Sequence, residues 1–195
     1  MLEWKKFSGN TVFRALSLLY ILVAPFIILG GKNTFKDMPP PMPSSKTFFE
    51  FPTVWDYQGY IGNWMIPFCL GFLVIHMITS EVSNRTMRQN IITGMTRKNF
   101  FLSKLYSMFF MSILATILYV ISTIVIGVLH TDGFDLELIL DNNMAVIRFF
   151  LLCVGYMSFA FLLAFIIRKG MLSLLTYFMY VLILEPILML IHNHC

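Results

Sequence analysis

Few residues in this chain are equipped for chemistry. Gly30, Gly31 and Lys32 resemble the end of a phosphate loop, in which glycine amides and a lysine cradle phosphate oxygens. Phe26 stands where the first glycine of that motif belongs, however, and Asn33 replaces its Ser or Thr. A nucleotide site is therefore not expected. His-Glu-x-x-His, Gly-x-Ser-x-Gly and Cys-x-x-Cys are all absent from the sequence, which leaves zinc hydrolysis and nucleophile-elbow chemistry without residues. Cys69 and Cys153 fall in apolar runs, where a thiol serves as a small filler, and Cys195 ends the sequence. No disulfide framework is implied. His192, His194 and Cys195 are soft metal donors, but at a chain end they have little around them to orient the ligands. The expectation is no catalytic residue, no metal, no directly bound cofactor and no nucleic-acid partner.

Glu185 is the exception, the one charged residue after Gly170. A carboxylate at the centre of a membrane helix costs about 2.5–3.5 kcal/mol on insertion scales. At 1.5 Å per residue, Glu185 lies ~24 Å beyond Lys169, which places it near the outer interface, and Pro186 after it predicts a helix break. Two readings stand: a substrate- or ion-contacting group near an exit, formed with Pro186, or a waterside carboxylate at a re-entrant turn. His76 reads as packed or interfacial rather than as a proton relay.

The elements that position these residues follow from composition. Of 195 residues, 58% are hydrophobic and 12% charged, about half the charge of a soluble domain. That excludes a soluble enzyme and a disordered chain alike. A span takes about 20 apolar residues, and the charge-free runs predict five, at about 13–31, 59–80, 105–129, 146–167 and 170–192, in a single transmembrane domain covering 1–195. The fold class is all-α, a polytopic membrane protein. Pro25 and Pro67 lie inside two spans, where they predict kinks. The first run lacks a cleavage pattern and reads as a retained span.

Orientation follows the basic residues. Segment 81–104 carries Arg85, Arg88, Arg97, Lys98 and Lys104 against Glu81 alone, while 130–143 carries Asp132, Asp135, Glu137 and Asp141 with no Lys or Arg. Lys5, Lys6 and Arg14 before the first span, and Arg168 and Lys169 between the fourth and fifth, fall on the same side as 81–104. The N-terminus is thus expected in the cytoplasm, with outer loops at 32–58 and 130–145, and five spans put the C-terminus outside. On that assignment the sequon Asn84-Arg85-Thr86 stays unglycosylated. In the first outer loop, residues 38–45 read as polyproline-like. Phe48, Phe49, Phe51, Trp55, Tyr57 and Tyr60 read as an aromatic belt at headgroup level.

Within 81–104, Ser83 or Asn84 can cap a short helix, Met87, Ile91 and Ile92 give it an apolar face, and Gly94 can end it. Such a helix can bind lipid headgroups or dock into a groove on a cytoplasmic partner. The pattern Glu81-x-x-Asn84-x-Thr86-x-x-Gln89-x-x-x-x-Gly94-x-x-Arg97-x-x-Phe100-x-x-Ser103-Lys104 resembles the segment between spans two and three of membrane (permease) subunits of type-2 ABC exporters. Leu2-Glu3-Trp4-Lys5-Lys6 is similar to that family's short N-terminal interfacial helix. The stretch from Phe161 through Arg168 and Gly170 to Glu185-Pro186 is similar to its junction of spans four and five.

The resemblance implies a cytoplasmic coupling helix contacting a separate ABC ATP-binding subunit, with ATP and magnesium on that partner and no ATPase activity in this chain. It further implies a second permease copy, as a homo- or heterodimer, contact with membrane lipid, an exported substrate that the sequence does not identify, and residence in a bacterial inner (plasma) membrane. The residues implied to couple are Glu81, Asn84, Arg85, Thr86, Gln89, Ile91, Gly94 and Arg97. For Arg97 and Lys98, headgroup binding stands ahead of partner contact. The family has six spans with both termini cytoplasmic, one more than is read here, so the chain is expected to lack a C-terminal part or else to cross five times. An alternative is an ABC complex doing mechanical or envelope-assembly work without moving a solute. A small channel or intramembrane enzyme is disfavoured by the scarcity of polar groups in the spans.

Overall fold

A computed structural model describes residues 14–15, 18, 49–84, 96–131, 142, 144–187 and 191. No strand occurs among the described residues. The helices are α1 (Thr53–Met65), a π-helical turn (Ile66–Gly71), α2 (Phe72–Ser83), α3 (Arg97–His130), α4 (Met144–Ile167) and α5 (Gly170–Met179), the last continuing through a second π-helical turn (Tyr180–Leu184). Among the described residues, Arg97–His130, Met144–Ile167 and Gly170–Ile187 are long and apolar enough to cross a membrane. The predicted first span falls outside the described residues except at 14, 15 and 18, which are helical. The N-terminal interfacial helix also lies outside them.

The predicted second span is a helical rod from Thr53 to Ser83, so residues 53–58, expected in the outer loop, are its first turns. Pro67 lies in the π-helical turn. A proline lacks the amide that an α-helical ladder needs, and a wider turn is one way for a helix to absorb that defect without breaking.

Helix α4 is the centre of the bundle and packs against α1, the first π-turn, α2, α3 and α5. Its buried residues, Ala145, Phe149, Cys153, Met157, Ala160, Phe161 and Ala164, recur at three- and four-residue steps and form one stripe. Helix α3 answers with Phe100, Lys104, Met108, Met111, Ser112, Ala115, Tyr119, Thr123, Ile126 and Gly127. Small and hydroxyl residues on these faces let the backbones approach, as at membrane helix contacts generally. Ser112 Oγ, for instance, lies 3.2 Å from Met157 Sδ on α4. The opposite faces are just as apolar: on α3 Ile121 is 55% exposed and Leu129 73%, and on α4 Leu151 is 61% exposed. A helix that is hydrophobic all round has lipid, not water, on its outer side.

The aromatic approach to α1 differs from the expected belt. Phe49, Phe51 and Trp55 are buried, inserted between α1 and α3, while Tyr60 remains exposed. The Phe51 ring occupies the space that a side chain at Gly127 would take, where an added Cβ would lie 3.0 Å from Phe51 Cδ2 and closer still to the ring tip. Tyr119 donates from Oη to the Trp55 carbonyl at 2.6 Å, stacks on Phe149 at 4.2 Å, and so joins α1, α3 and α4 at one point. Gln58 Nε2 donates to Ser122 Oγ at 2.7 Å. Their position before a span read as a headgroup belt, but Gly127 makes room for the Phe51 ring against α3 instead.

Between α4 and α5 the chain reverses over Arg168 and Lys169. Arg168 adopts φ 58°, a left-handed conformation usually left to glycine at helix ends, and Lys169 is extended as the N-cap of α5. A non-glycine residue there is strained by roughly 1–2 kcal/mol, and a β-branched one more so. Arg168→Val should therefore lower the thermal unfolding midpoint in detergent while Arg168→Gly leaves it unchanged or raises it, the two differing by about 1–2 kcal/mol. Equal midpoints would contradict the conformation.

Candidate functional site

The residues that bound the basic segment are paired with each other. Glu81, in the last turn of α2, and Lys104, two turns into α3, meet at 2.8 Å between Oε1 and Nζ, and both are buried, at 3% and 0% exposure. Lys104 Nζ also lies 5.4 Å from the centroid of the buried Phe100 ring, within cation–π reach. Helix α4 packs against both α2 and α3, and the pair bridges those two helices at the end where the basic segment joins them. The sequence alone placed Glu81 among the coupling contacts, and Lys104 entered only as a topology charge and as the last residue of the family-like pattern, with no contact between them expected. The available signal was position: Glu81 is the only acidic residue between Asp56 and Asp132, and Lys104 the last base before the long apolar run that follows.

The remaining coupling residues divide. Asn84 is exposed and donates its backbone amide to the Ser80 carbonyl at 2.9 Å, and Ser83 ends α2. The short helix expected to follow them lies outside the described residues. Arg97 is exposed in the first turn of α3, beside Lys98. That helix is capped by Thr96, whose Oγ1 accepts from the Asn99 amide at 3.2 Å, a Thr-x-x-Asn signal that sequence reasoning missed. Residues 97–104, expected in the cytoplasmic segment, are thus already α3. Two cations at a helix N-terminus oppose the helix dipole by about 0.3–1 kcal/mol each, so their placement is not explained by local helix stability. Arg85, Thr86, Gln89, Ile91 and Gly94 lie outside the described residues.

Charges sort to the two ends of the bundle. Beside the Glu81 end, Gly170 sits against Thr79, where an added Cβ would lie 3.2 Å from Thr79 Oγ1, so the Arg168–Lys169 turn neighbours the end of α2. At the other end Asp56 meets Arg148 at 3.5 Å, both exposed, and Asn142 bridges them, donating to Asp56 at 2.8 Å and accepting from Arg148 at 3.3 Å. An exposed pair of this kind contributes about 0–1 kcal/mol.

Glu185 stands in a groove of about 620 Å³ between α4 and the last helical turns, lined by Arg148, Leu151, Leu152, Gly155, Tyr156, Phe159, Tyr180 and Glu185. Tyr156 donates from Oη to Glu185 Oε1. The helix runs on through Pro186 to Ile187, which corrects the expected break. Proline removes a donor only from its own position, and the wide turn before it already loosens the ladder there. His76 stacks on Phe72 at 6.2 Å, and Cys69 and Cys153 are buried free thiols. No cluster of metal-ligating side chains occurs among the described residues.

Among the described residues, long apolar helices with charged ends and a lipid-like outer face define an integral membrane protein. A family model described as "ABC-2 family transporter protein" matches residues 1–184, and the chain belongs to that family. It is accordingly a membrane subunit of an ABC transporter, in a family that works with a separate ATP-binding subunit. Neither a curated protein nor a solved structure matches it.

Proposed function

We propose that this chain is the permease subunit of an ATP-driven export complex, with its basic segment 81–104 facing the cytoplasm as the docking site for the ATP-binding subunit. ATP and magnesium reside on that partner. Two permease copies, identical or related, enclose the substrate path in a bacterial inner membrane, and the N-terminus is cytoplasmic. The observation that carries the reading is the buried Glu81–Lys104 pair. A push delivered to the connection between α2 and α3 would be lost if the two helix ends moved independently. Joined at its base, the connection passes displacement to α2 and α3 together, and through α4, which touches both, to the rest of the bundle. The exposed Arg97 and Lys98 add positive charge suited to anionic headgroups at the same boundary.

The docking surface is expected on 85–95, with Ile91 as its apolar anchor. Ile91→Asp should abolish substrate-stimulated ATP hydrolysis in the assembled complex, with membrane insertion intact by protease accessibility. Stimulation at the wild-type level would rule this docking mode out.

A further inference from the structure

We propose that the groove between α4 and the last turns of the chain's final described helix binds a lipophilic organic cation, with Glu185 as its counter-charge. The placement of the carboxylate and the character of the walls around it carry this.

The carboxylate is placed by the backbone. The buried residues of the last helix step by four, from Ser173 to Tyr177 to Val181, and four-residue steps drift forward by about 40° each in an α-helix. The π-helical turn at Tyr180–Leu184 holds more residues per turn and takes up that drift. Glu185, the next step, thereby stays on the face that meets α4 while Leu182, Ile183 and Leu184 point outward. Tyr156 holds one carboxylate oxygen by its hydroxyl, leaving Oε2 for a ligand.

The remaining walls suit a cation with an apolar body. Tyr156, Phe159 and Tyr180 line the groove, with the Phe159 and Tyr180 rings 4.3 Å apart, and aromatic faces attract cations. Leu151 and Leu152 supply apolar wall. Gly155 leaves the floor open, since a Cβ there would meet nothing within 4 Å. The volume is that of a drug-sized ligand. The other charge on the lining, Arg148, lies two turns from Tyr156 and pairs with Asp56 and Asn142 outside the groove, which offsets its charge and leaves Glu185 as the lining charge with no ion pair among the described residues.

This inference deepens the transport reading by naming a substrate class, and it rests on that reading only for the word substrate. Binding is tested on the purified chain in lipid nanodiscs with radiolabelled tetraphenylphosphonium. Saturable binding is expected in the wild type, weakened at least about tenfold in Glu185→Gln, which keeps an acceptor for Tyr156 while removing the charge. Gly155→Leu, which fills the floor with the carboxylate intact, should weaken it similarly and guards against a folding effect of the first variant. The isosteric anion tetraphenylborate should not bind. Equal retention of the cation by wild type and both variants, or equal binding of the anion, would overturn the site. A phospholipid held alike by wild type and Glu185→Gln and not displaced by the cation would overturn it too, making the groove a lipid seat. Cation binding that depends on Glu185 but does not stimulate ATP hydrolysis in the assembled complex would uphold the site and count against the transport reading instead.

Discussion

Lys104→Met and Glu81→Gln should each destabilise the folded chain by about 3–5 kcal/mol, because removing one partner of a buried ion pair strands the charge of the other. Oε1 and Nζ are 2.8 Å apart and both side chains are almost wholly enclosed, so water cannot replace the lost partner. For a chain of this size the loss is on the order of 10 °C in unfolding midpoint, readable by heating detergent-solubilised protein before size-exclusion chromatography. The double change Glu81→Met with Lys104→Met should recover most of the loss, since apolar side chains of similar length refill the site without stranding a charge. Singles within about 1 kcal/mol of wild type would show the pair to be solvated and would remove the physical basis for treating α2 and α3 as joined. The double variant also separates two roles. If it folds and ATP hydrolysis remains coupled, packing at the joint suffices; if it folds uncoupled, the charges themselves are needed.

Gly71→Ala is expected to produce the second large loss, about 1–3 kcal/mol from overpacking. A Cβ at Gly71 would overlap the hydroxyl end of Tyr177 and lie 2.7 Å from its Cε1. Tyr177 is fully buried and wedged beside Phe159 and Phe178, so its ring has little room to retreat. On a Tyr177→Ala background the same glycine change should be nearly silent, giving a coupling energy of about 1–3 kcal/mol in a double-mutant cycle. Additive losses would mean that the two residues do not meet.

The sequence disclosed the elements better than their contacts. Charge-free runs located α3, α4 and the last helix to within a turn at most ends, because a membrane helix is legible from what it lacks. The start of α3 at Arg97 was not legible, since a helix can extend past the bilayer while carrying charge, and Thr96 was the overlooked marker. Pro67 signalled an irregularity whose form, a π-helical turn, depends on the neighbours that hold it. The aromatic residues from Phe49 to Trp55 were misassigned because composition does not distinguish a ring facing headgroups from one facing a glycine on another helix. Glu185 stood out in the sequence as the one charge after Gly170, but its partner Tyr156 lies on a different helix and could not be read from spacing. The Glu81–Lys104 contact escaped for the same reason: each residue was visible, and only tertiary structure brings them together.

The sharp reversal at Arg168 and Lys169 bears on biogenesis. Every residue lining the Glu185 groove belongs to α4 or to the helix that follows this turn, so the groove is a property of one helical hairpin, contiguous in sequence. Contacts so local form early and fast. The hairpin can enter the membrane as a unit with this groove already shaped, before it finds α2 and α3.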